Sequence, residues 1–136
     1  MSSTLTVTNL TATNLTDGAG TTSTFANVNS GSAKAWVNFN GTGTPAIRGS
    51  QNISSLTDYA TGTQGINFSS NMNDVNFAVS STCQYGTGGT SLNACLRNAG
   101  VYPLTTGDAH FFTVSDYSVS ATDEEVVVAS IHGDLA

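Results

Sequence analysis

The sequence predicts an all-β protein: an antiparallel β-sandwich of jelly-roll-like type over residues 33–136, preceded by an extended N-terminal arm over residues 1–32. Three observations carry this. From residue 33 onward, apolar and polar residues alternate in short runs, as half-buried strands require. Gly-, Asn- and Asp-rich turns separate those runs at the spacing of a sandwich or small barrel, and no long stretch holds a helical period. Before residue 33 the chain is small, polar and low in complexity, with Leu5, Leu10, Leu15, Phe25 and Val28 as isolated apolar points.

The strands follow in order. In "AWVNFN", Ala35, Val37 and Phe39 share one face, and Trp36, Asn38 and Asn40 take the other. "NGTGTP" (40–45) is a turn. "AIR" (46–48) and "QNISSLT" (51–57) are short strands, and "DYATGTQG" reads as turn-rich. "INF" (66–68), "SSNMND" and "VNFAVSS" (75–81) read as strand, loop and strand, with Val75, Phe77 and Val79 on one face. "SLNACLRNAG" (91–100) carries Leu92, Cys95, Leu96 and Ala99 at helical spacing, with Ser91 placed to cap. The strand reading, folding back on 75–85 around "GTGGT", is preferred over that helix. "HFFTVSDYSVSAT" (110–122) and "EEVVVASIH" (124–132) form a last pair joined at Asp123.

At 136 residues the chain is one domain with a short appendage, long enough for one hydrophobic core. Nine acidic and three basic side chains give a net charge of −6. Size scaling allows one charge per roughly 550 Å² of monomer surface. Small hydroxyl and amide groups therefore solvate the exterior, or neighbouring subunits cover it. The only cations are Lys34, Arg48 and Arg97, so no basic patch exists for nucleic acid or an anionic membrane. No apolar run approaches the ~18 residues of a transmembrane helix. The N-terminus lacks the charged and apolar regions of a signal peptide. The N-x-S/T triplets at Asn9, Asn14, Asn40, Asn52 and Asn67 are what this composition produces by chance.

Few residues suggest chemistry. His110 and His132 are the only imidazoles, near Asp108 and Asp134. Two histidines do not make a three-ligand zinc site without a carboxylate, and no nucleophile, phosphate-loop or dinucleotide motif is present. They read as polar residues at strand ends, and the sequence names no catalytic, cofactor or metal residue. Asp123-Glu124-Glu125 reads as a solvated hairpin turn that discourages edge pairing. "NMND" lacks the spacing and the closing Glu of a calcium loop. Cys83 and Cys95 are the only cysteines. In the hairpin reading they lie directly opposite, near bridging distance. Two buried thiols are the simpler reading, and a disulfide formed after release from a reducing cytosol is the alternative. Trp36, the lone tryptophan, either packs a second apolar layer or sits at a subunit interface.

The stretch "AKAWVNFNGTGTPAIRGSQNISSLTDYATGTQGINFSSNMNDVNFAV" (33–79) and the later "VVVASIHGD" resemble a structural module of tailed bacteriophages, notably cyanophages and marine phages, found in fibre and capsid accessory proteins. The likeness covers residues 33–80 and, more loosely, 126–134. "GTGGTSLNACLRNAGVYP" has no counterpart, and His132 replaces the usual aromatic. The resemblance implies a virion structural protein and no enzyme activity. A start at Met1 and a single module favour a capsid decoration or cement protein: a homotrimer on the outside of the head, made in the host cytoplasm and bound to the major capsid protein. The alternative is a tail-fibre or receptor-binding module that contacts the host surface; a third class is a small carbohydrate-binding or hydrolytic sandwich, which one tryptophan supports only thinly because sugar-binding faces usually expose several aromatics.

The opening "STLTV–TNLTA–TNLTD" places Leu5, Leu10 and Leu15 five apart. Three such repeats are too few for a solenoid, and in a plain strand successive leucines would face opposite ways. The segment is therefore expected to bury its leucines by trimerisation or on a partner. Leu5, Leu10, Leu15 and Trp36 are the candidate residues for oligomer or capsid docking.

Overall fold

The computed structural model describes residues 14–16, 19–84, 92–96, 103–115 and 120–136. The chain divides into two compact units, residues 1–32 and 33–136. In the first, β1 (Asn14–Thr16) pairs antiparallel with β2 (Thr22–Thr24), and helix α1 (Phe25–Gly31) follows directly. The Thr24 hydroxyl accepts the Asn27 N–H at 3.1 Å and so starts the helix. The described part of this unit is thus a small hairpin and helix. Local bonds explain it: a cross-strand Thr16–Thr22 hydroxyl contact of 2.9 Å and the Thr24 cap.

The second unit is the predicted all-β sandwich. One sheet has the order β4 (Ala46–Gln51), β3 (Ala35–Asn40), β11 (Val126–His132), β7 (Ala78–Gln84). The other is built on β9 (Asp108–Ser115), which pairs with β6 (Thr63–Phe68), β8 (Leu92–Leu96) and β10 (Ser120–Ala121), while β5 (Ile53–Ala60) pairs with β6. β8 pairs with residues of β9 that β6 and β10 also use. A strand has only two edges, so β6 and β10 share one and β8 holds the other. All pairings are antiparallel.

The inner faces make the core. On β3, β11 and β7 three rows run across the sheet: Phe39–Val127–Cys83, Val37–Ala129–Ser81 and Ala35–Ile131–Val79. Ile53, Ile66, Phe68, Ala94, Ala109 and Phe111 come from the facing sheet. Phe39, Phe111, Ile66 and Ile131 are fully buried. Burying each such side chain contributes about 1.5–3 kcal/mol.

The alternation in β3 is as predicted, but several strand partners are not. β7 and β8 do not form a hairpin: β7 pairs with β11 and β8 with β9. They meet across the two sheets, where the Ser81 hydroxyl donates to the Ala94 carbonyl at 2.7 Å. Residues 92–96 are a strand, as preferred. The 110–122/124–132 pair is also replaced, because β10 folds back on β9 while β11 crosses to the other sheet. Part of the turn-rich "DYATGTQG" is strand on both sides of a tight turn at Gly62. β7 starts at Ala78, which leaves Val75 exposed ahead of it.

A candidate binding surface on the outer sheet face

The outer face of the β4–β3–β11–β7 sheet carries the candidate site. Alternation turns Trp36 and Asn38 away from the core residues Val37 and Phe39. The register then sets Trp36, Ser130 and Ser80 in one row and Asn38, Val128 and Thr82 in the next. Together they line a groove of about 460 Å³, within the usual range for small-molecule sites. Val128 and Ser130 of β11 line its middle, between residues of β3 and β7.

Trp36 is held rather than loose. Its six-membered ring lies over Gly49 of β4, where an added Cβ would sit 3.5 Å from Cη2 and Cζ3. The indole N–H donates to Gln51 Oε1 at 3.1 Å. The residue is nonetheless 40% exposed. Beside it, the Asn38 Oδ1 is shielded from solvent and meets no hydrogen-bond donor. Among the described residues no ionisable side chain lines the groove.

The outer face of the other sheet has a matching device. Tyr59 and His110 cover Gly65, where a Cβ would lie 2.8 Å from Tyr59 Cε2 and 3.0 Å from His110 Cδ2. Both glycines sit in strand interiors and gain the packing they lack from a neighbouring ring. His110 lies within β9 and is buried, so it is not the strand-end residue expected from sequence; Tyr59 covers it. His132 is the last residue of β11 and is half-buried.

Asp123-Glu124-Glu125 is not a solvated hairpin turn. It is the crossing from β10 to β11. Asp123 Oδ1 accepts from the Gly62 N–H at 2.7 Å and from Gln64 Nε2 at 3.0 Å. Glu124 is buried and accepts the Thr122 hydroxyl at 2.7 Å. Only Glu125 faces solvent, where Arg48 pairs with its carboxylate at 3.8 Å and donates to its carbonyl. An exposed pair of this kind adds little stability. Among the described residues no group of three or more His, Cys, Asp or Glu is placed to hold a metal ion, and no helix is long and apolar enough to cross a membrane.

Of the other sequence candidates, Leu5 and Leu10 lie outside the described residues, as does the side chain of Leu15. Cys83 is half-buried on the inner face opposite Val127, and Cys95 is opposite Phe112 in the other sheet. The Cys95 side chain is outside the described set, and the disulfide reading with it. Sequence reasoning found Trp36 but missed Ser80, Thr82, Val128 and Ser130. Alternation gives their faces, whereas only the register makes them neighbours. Comparisons with protein-family models, curated proteins and solved structures find no match to this chain.

Proposed function

We propose that this chain is a bacteriophage virion structural protein: a trimeric capsid decoration protein that binds the outer capsid surface and stabilises the head, with no catalytic role. The resemblance of residues 33–80 to phage structural modules supports the class. The observation that carries the docking role is the N-terminal unit. Residues 26–32 are all exposed, and Val28 is an exposed apolar residue on α1. A seven-residue helix gains its stability from packing, so a surface that covers α1 would order and hold it. Leu5, Leu10 and Leu15 would add apolar contacts around a three-fold axis or along the major capsid protein.

The test is particle chemistry. Quantified against the major capsid protein, a decoration protein is present in roughly hundreds of copies and purifies with empty heads. Removal of residues 1–30 leaves a folded sandwich that no longer trimerises or binds particles. Recovery only in tail fractions, or a truncated chain that still binds as a trimer, overturns the reading. A second reading, a tail-fibre or receptor-binding module, is favoured by one observation: the Trp36 groove is concave, uncharged and open to solvent.

A further inference from the structure

We propose that the groove between Trp36 and β7 is a binding site for a neutral saccharide. The inference rests on the receptor-binding reading of this face, and names the ligand class that the face would take. A sugar ring presents an apolar C–H face and a rim of hydroxyls. Trp36 supplies a flat, partly exposed indole whose tilt is fixed from beneath by Gly49 and from the side by Gln51. A platform held before binding loses little conformational entropy when it is covered. Around it, Asn38, Ser80, Thr82 and Ser130 line the groove with amide and hydroxyl groups that both donate and accept.

Charge selects among saccharides. Among the described residues the groove offers no cation to pair with a carboxylate or sulfate, and the chain carries −6 overall. Acidic sugars would lose hydration without compensation and approach against the field. A basic partner would find no carboxylate in the lining. A peptide ligand is disfavoured because a single ring over a short groove provides one anchor, whereas peptide grooves rely on several.

Trp36 is the only tryptophan in the chain, so its emission reports on this site alone. The full-length protein is titrated with neutral oligosaccharides of glucose, mannose and N-acetylglucosamine, with sialyllactose as the acidic comparator. At least one neutral sugar gives a saturable shift in Trp36 emission, and sialyllactose gives none. By calorimetry, Trp36→Ala weakens that sugar at least about tenfold, Trp36→Phe retains binding, and Asn38→Ala lies between. Asn38→Ala leaves the Trp36 ring over Gly49 in place, so the test survives if the Trp36→Ala variant does not fold. The proposal falls if no neutral sugar saturates the signal at millimolar concentration, if sialyllactose binds as well, or if either a folded Trp36→Ala or Asn38→Ala leaves affinity unchanged. Particle fractionation decides location independently: a tail protein that binds no neutral sugar loses this inference alone, and a head protein that binds one loses only the receptor reading.

Discussion

Gln64 Nε2 donates to Asp123 Oδ1 at 3.0 Å, and this bond ties the fully buried amide of β6 to the segment where the chain crosses between sheets. Asp123 also accepts the Gly62 N–H at 2.7 Å, so one carboxylate secures the β5–β6 turn and the β10–β11 crossing together. Asp123→Ala leaves both donors short of an acceptor and is expected to cost about 2–4 kcal/mol. Asp123→Asn keeps an Oδ1 in place and costs less. Urea unfolding of the two variants checks this; equal losses would mean that the charge, not the acceptor, matters.

Gly62 and Gly43 make a matched pair. Both have positive φ, +66° and +65°. An added Cβ meets nothing within 4 Å at Gly43, but lies 2.7 Å from both Thr113 O and Thr122 N at Gly62. Gly43→Ala should therefore cost only the backbone strain, about 1–2 kcal/mol. Gly62→Ala should cost clearly more, because two backbone atoms must move. Thermal unfolding that ranks them the other way would contradict the packing described at this turn.

Asn52 turns the chain from β4 into β5 with φ +56°. Its side chain accepts the Ser70 N–H at 2.7 Å and donates to the Ser70 carbonyl at 3.0 Å. Asn52→Gly relieves the conformation but loses both bonds, and Asn52→Ala suffers both penalties. Alanine should be the more damaging by about 1 kcal/mol, measured by denaturant midpoint at constant slope.

Phe39 and Phe111 are fully buried, one in each sheet of the same core. Either one changed to Ala should lose about 3–5 kcal/mol. Because the core is shared, Trp36 emission, which reads one sheet, and far-ultraviolet dichroism, which reads both, should show the same midpoint in each variant. Two separated transitions would mean that the sheets do not unfold as one unit.

The sequence by itself determined the class and the faces. In β3, the period-two pattern put Ala35, Val37 and Phe39 inward and Trp36 outward, because successive side chains on a strand must alternate. It did not determine partners. Cys83 lies opposite Val127 in the strand register, and β11 lies between β3 and β7, through contacts between residues far apart in the chain. Hairpins are the local guess, but which edges meet is decided by matching whole inner faces across a shared core. The same limit hid the site. Trp36 was legible as an aromatic on the outward face, whereas the groove beside it exists only because register places Ser130 and Ser80 in its row, and folding lays its ring over Gly49. Asp123 was legible as a charge in a turn. Only the tertiary structure made it the acceptor for a buried amide, since Gln64 and Gly62 reach it from 59 and 61 residues away in the chain, on the neighbouring hairpin.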